Sequence, residues 1–147
     1  MVRWGMPPLT DHLTAVLARA ARAQRGLSAG LLAPLGLHPG QDELLRLLWR
    51  QDGLVQSRIV EALGVEAPTV TKMVHRLEVA GFVQRRVAPS DRRATQVWLT
   101  PAGRQLRTSV QRLRRRVEHR MTDGLTDRQV ASLRALLEHV VVNLDDQ

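Results

Sequence analysis

Residues 57–100 read SRIVEALGVEAPTVTKMVHRLEVAGFVQRRVAPSDRRATQVWLT, and the periodicity of this stretch decides the fold. Its centre is helical. Pro68 stands at a first helical position, where a missing backbone N–H does no harm, and Val70, Met73, Val74 and Leu77 then recur at steps of three and four until Gly81 ends the pattern. That stripe faces inward. The opposite face carries Pro68, Lys72 and His75 near its centre and Thr69, Thr71 and Arg76 on its flanks, residue types that reach phosphates and base edges.

Upstream, Gln56 to Leu63 puts Ile59, Val60 and Leu63 on one side, so two helices can bury their apolar faces together across a turn at Gly64. Downstream of Gly81 the period changes to two. Val83, Arg85 and Val87 alternate with Gln84 and Arg86, Pro89-Ser90-Asp91 makes a turn, and Thr95, Val97 and Leu99 alternate on the return. The order is helix, turn, helix and a basic two-stranded wing, which suits one helix in a DNA major groove with an arginine in the minor groove beside it. An amphipathic helix alone is most often an ordinary surface helix, and Asp91-Arg92-Arg93 alone could be a solvated turn. The clustering of Arg85, Arg86, Arg92 and Arg93 on one short hairpin argues for a polyanion, because the cluster otherwise repels itself.

The run Asp91-x-Arg93, followed after five residues by Leu99-Thr100 and preceded by the helix-turn-helix, resembles the MarR family of winged-helix transcription regulators. The likeness runs from about Thr10 to about Leu144. It implies a homodimer on an inverted-repeat operator in double-stranded DNA, usually repressing until a small phenolic or other lipophilic ligand, or an oxidant, releases it. It also implies that Arg93 enters the minor groove, that Asp91 orients it, and that Pro68 to Arg76 read the major groove. A ligand pocket is implied where the dimer helices meet the winged domain, in the region of Trp49. Val55 departs from the pattern where the family usually has a Ser or Thr cap, and Glu66 and Ala67 are poor caps ahead of the second helix. A good cap is worth about 1 kcal/mol.

Composition agrees with this reading. A chain of 147 residues makes one domain, or a domain with a docking extension, and its formal charge of +8 and pI near 11.6 favour a polyanionic partner. With no Tyr, one Phe and three Trp, few rings are available to stack unpaired bases, which favours duplex over single-stranded nucleic acid. No apolar run approaches the roughly 20 residues of a membrane span, Met1-Val2-Arg3-Trp4 does not open a secretory signal, and a cytoplasmic protein without a membrane partner is expected. The absence of cysteine removes disulfides and thiol-oxidation switching.

The remaining segments read as helices that pair two subunits. Thr10 and Asp11 open a first helix with Leu13, Val16, Leu17 and Ala20 on one side, and Pro39 starts another with Leu44, Leu45, Leu47 and Leu48. Thr100 caps a long helix, begun by Pro101, with Leu106, Val110, Leu113, Val117 and Met121. Thr126 caps a last one with Val130, Leu133, Leu136, Leu137, Val140, Val141 and Leu144. The expected class is therefore mainly α with a small β-wing: a winged helix-turn-helix over 39–100, flanked by helical dimerisation regions at 8–38 and 101–147. Leu13, Val16, Leu17, Leu133, Leu137, Val140 and Leu144 are the expected dimer contacts, since apolar surface in excess of what the winged domain can cover marks an interface. Arg112, Arg114, Arg115, Arg116 and Arg120 read as a solvated face, with a flanking phosphate contact as the alternative.

Other classes fit less well. His12, His38, His75, His119 and His139 are widely separated, no pair has H-x-x-x-H spacing, and no cysteine completes a zinc site, so neither a metal site nor a cofactor is expected. The sequence has no glycine-rich phosphate loop or G-x-S-x-G elbow, which leaves a basic nuclease as a remote alternative and no catalytic residues to assign. A low-specificity architectural protein of the nucleoid shares the charge and the wing. It does not need the base-capable groups on the recognition helix.

Overall fold

The structure is a computed structural model that describes residues 12–145. Six helices and three strands follow in the order α1 (Leu13–Leu32), α2 (Gln41–Arg50), β1 (Leu54–Val55), α3 (Gln56–Leu63), α4 (Ala67–Val79), β2 (Val83–Ala88), β3 (Asp91–Leu99), α5 (Pro101–Thr122) and α6 (Asp127–Asp145), with a 3-10 turn at Ala33–Leu35 after α1. The proposed opening of the first helix at Thr10 and Asp11 lies outside the described residues. One hydrophobic core joins the end of α1 to the middle of α5 through Leu32, Leu44, Leu45, Ile59, Val74 and Val110, all fully buried. The stripe expected on α4 is the inward face: Val70, Val74 and Leu77 are buried and Met73 half-buried.

Several boundaries differ from the sequence reading. The second helix starts at Gln41, two residues after Pro39, because Gly40 adopts the left-handed φ of 91° and cannot belong to an α-helix. The Gln41 side chain then accepts the N–H of His38 at 2.9 Å, which satisfies a donor at the turn and explains why Gln41 is buried. The strand β1 was not expected. Two residues are too short for periodicity to mark, and β1 exists because β3 offers it an edge, with Leu54 opposite Val97 in a sheet ordered β1-β3-β2.

Asp91 is the first residue of β3, so Pro89 and Ser90 alone form the turn. The register shifts between Val87 and Ala88, and this irregularity interrupts the expected alternation. Ala88 is buried in consequence and Val87 is 63% exposed.

Side-chain contacts from α2 help fasten the winged unit to α5. The Trp49 indole N–H donates to the Gly103 carbonyl at 3.0 Å, and Arg114 reaches Glu43 at 2.7 Å and Asp42 at 3.2 Å in the first turn of α2. Arg114 therefore does not belong to the solvated arginine face expected of it. Burial opposes its charge, but the hydrogen bond to Glu43 and the fields of Glu43 and Asp42 outweigh that and hold its pKa above the ordinary value. Arg112, Arg115, Arg116 and Arg120 are exposed as expected.

Gly103 is buried against the main chain of Phe82, where a Cβ would collide with the carbonyl oxygen. Gly103→Ala is expected to destabilise the fold by about 1–3 kcal/mol although alanine is the better helix former. Thermal melting checks this, and a higher melting temperature would refute the close approach.

The cap of α5 matches the sequence reading: the Thr100 hydroxyl accepts the Gly103 N–H at 3.1 Å and donates to the Gly81 carbonyl at 2.6 Å. The outer helices differ from the rest. Met121, expected on the α5 stripe, is 53% exposed, and α6 contains no buried residue. Among the described residues no helix is long and apolar enough to cross a membrane.

Candidate nucleic-acid interface

The α4 helix presents the face that sequence periodicity assigns to solvent. Pro68, Thr69, Thr71, Lys72, His75 and Arg76 are all exposed. Among the described residues Lys72, His75 and Arg76 make no side-chain hydrogen bond or ion pair, so their donors are unpaired. Thr71 differs, since its hydroxyl donates to the Ala67 carbonyl at 3.0 Å and accepts from Gln56 Nε2 at 2.7 Å. That pair bridges the starts of α3 and α4. Neither Val55 before α3 nor Glu66 before α4 makes a side-chain cap bond, as their identities lead one to expect.

The wing arginines fall into two groups. Arg85 lies against α4: its Nη2 is 2.7 Å and its Nε 2.9 Å from Glu78 Oε2, and its main-chain N–H donates to Glu78 Oε1 at 3.1 Å. These hydrogen bonds hold the Glu78 carboxyl below the ordinary carboxylate value. The Arg86 guanidinium sits 5.5 Å from the centroid of the Trp98 ring. Arg92 and Arg93 at the tip have no acidic partner among the described residues, and both are exposed. Asp91 accepts the main-chain N–H of Arg93 at 2.9 Å, so the contact shown fixes the backbone that presents Arg93 rather than its guanidinium.

One positioning residue escaped the sequence reading. Asp52 Oδ1 accepts the N–H groups of Leu99 at 2.8 Å and Gly53 at 3.0 Å, and Oδ2 meets Arg104 at 2.7 Å. It ties the α2–β1 loop, the end of the wing and the start of α5 together. Its partners lie 47 and 52 residues away, and no local pattern could signal that.

The sequence model of the MarR family matches residues 37–95, which hold α2 to α4 and most of the wing. The HTH-type transcriptional regulator TtmR of Methylorubrum extorquens is 30% identical over 138 residues, covering 94% of this chain and 68% of that protein. The chain belongs to the MarR family. The HTH-type transcriptional repressor IacR of Pseudomonas putida is a further relative, 35% identical over 103 residues that cover 68% of this chain and 62% of IacR. The chain spans 62–63% of the length of several of the relatives it matches. A crystal structure of a mutant MarR from E. coli complexed with operator DNA superimposes with a TM-score of 0.80 at 26% identity, covering 87% of this chain and 92% of that one. The MarR-family winged helix thus accounts for the element order and for α1, α5 and α6 around it.

Proposed function

We propose that this protein is a sequence-specific double-stranded DNA-binding transcription regulator. It acts as a homodimeric repressor on an inverted repeat, released by a small-molecule ligand. The observation that carries the reading is the exposed α4 face with unpaired Lys72, His75 and Arg76, combined with a wing tip on which Arg92 and Arg93 lack acidic partners among the described residues. Unpaired cations and donors on an outward helix followed by a basic wing suit a duplex, and the relative from E. coli that was crystallised with operator DNA has the same fold. The test is selection of genomic fragments at near-physiological salt. A few enriched fragments sharing an inverted repeat support a specific regulator, whereas even, salt-sensitive retention everywhere refutes it in favour of an architectural role.

The recognition helix carries the sequence preference in this reading. Lys72→Ala or His75→Ala is expected to cost about 1–3 kcal/mol on the preferred duplex and much less on others if the side chain meets a base, and to weaken all duplexes alike if it meets only phosphate. Titration of both variants against preferred and scrambled duplexes separates the two outcomes.

The homodimer rests on surface that a single chain leaves uncovered. Leu13 is 75% exposed and Leu144 65%, and Val16, Leu17, Leu133 and Leu137 are also exposed, with Val140 half-buried. A groove of about 290 Å³ between the end of α5 and α6 is lined by Met121, Val130, Leu133, Leu137 and Val141. Uncovered apolar surface of this kind commonly marks an interface. Dimerisation sets the separation of two recognition helices, which must be about 34 Å to meet successive major grooves.

In this reading release acts through the same spacing. A ligand acts by binding more tightly to the dimer whose helices are wrongly spaced. A crevice of about 310 Å³ between α1, α2 and α5, with Gln24, Ser28, Asp42, Glu43 and Arg114 beside Leu113, would offer a small molecule mainly polar and charged contacts. Trp49 is engaged with Gly103 in the helix junction.

A further inference from the structure

The β2 arginines are exposed but engaged by partners within the chain, Arg85 by Glu78 and Arg86 by the Trp98 ring, in contrast to those at the wing tip. Glu78, in the last turn of α4, takes both the guanidinium and the main-chain N–H of Arg85, so one carboxylate grips a wing residue by side chain and backbone together. An ion pair whose partners are 38% and 33% exposed contributes little to stability, which leaves geometry as its consequence. The carboxylate also constrains what Arg85 can do. If Arg85 swung away to a phosphate, the Glu78 charge would face the polyanion uncompensated, whereas the closed pair brings no net charge to the interface.

We infer that Glu78 and Arg85 form a clasp that fixes the angle between the recognition helix and the wing, so that Arg85 is a positioning residue for selective DNA binding and not a phosphate contact. This rests on the DNA-binding reading above. A preferred duplex must meet helix and wing in adjacent grooves at once, and a loosened wing forfeits that simultaneity. Non-preferred duplexes, held by charge alone, do not require it.

The experiment uses a duplex selected by the wild-type protein from a random pool, with a scrambled duplex of the same composition. The slope of log affinity against log salt is measured on both for wild type, Arg85→Ala, Glu78→Gln and the double variant. The double variant, which removes the pair without changing net charge, is expected to leave the slope unchanged, and each single change to narrow the preference for the selected duplex by about tenfold. The double variant should be no worse than either single one, because both changes open the same contact. Arg92→Ala, at a partnerless cation, serves as the comparison whose slope falls.

A slope reduced by about 0.9 in the double variant, with preference retained, would make Arg85 a phosphate ligand and overturn the clasp. So would a Glu78→Gln protein with wild-type preference. Melting curves establish that the variants fold, and Arg85→Gln replaces Arg85→Ala if the latter melts early. A wild-type protein that prefers no duplex overturns the sequence-specific reading on which the clasp rests, and that result appears before any substitution is made.

Discussion

Arg93→Ala is expected to weaken binding to the selected duplex by roughly 2 kcal/mol, about 30-fold, while the melting temperature and the oligomeric state stay as in wild type. The separation of effects follows from the position of the side chain. Arg93 is exposed at the wing tip, makes no ion pair among the described residues, and is held only through its backbone by Asp91 at 2.9 Å. Its removal therefore takes away no packing. A guanidinium presented without an acidic partner is available to the narrow, strongly negative minor groove. Titration on the selected duplex checks the affinity, and an unchanged affinity removes the wing tip from the mechanism. Asp91→Ala should act in the same direction and less strongly, because it loosens the backbone that carries Arg93 and leaves the charge in place.

The other large effect concerns assembly. Changing Leu133 and Leu137 together to aspartate is expected to leave a folded chain that sediments as a monomer at micromolar concentration and no longer binds the selected duplex. Folding should survive because α6 has no buried residue, and these two leucines are 43% and 39% exposed within the chain. Dimerisation should not survive, because two carboxylates would have to enter an apolar interface without partners, at a cost of several kcal/mol. Loss of the dimer removes the second recognition helix and with it most of the affinity for an inverted repeat. Sedimentation that still shows a dimer would place the interface elsewhere. A wild-type monomer would remove both the dimer and the inverted-repeat operator.

The sequence by itself determined the elements whose information is local. Period-3.6 stripes marked α3, α4, α5 and α6, Thr100 and Pro101 marked the start of α5, and period-2 alternation marked the wing, because side-chain direction repeats with the backbone whatever lies across from it. The motif at Asp91 to Thr100 identified the family for the same reason, being a short contiguous string. Tertiary structure decided what depends on partners distant in the chain. Gly40, left-handed, moved the start of α2, and a strand of only two residues formed because β3 offered it an edge.

The same distinction sorts the arginines, which look alike in sequence. Arg114 became an anchor because the first turn of α2 placed two carboxylates beside it, and Arg85 became tied to Glu78 because the wing folds back on α4. Arg92 and Arg93 kept exposed charges at the tip, where no acid among the described residues forms an ion pair with them. Charge is a property of the residue. Its availability to a partner depends on which opposite charges the fold brings within about 4 Å, and that is settled only when the chain has closed on itself.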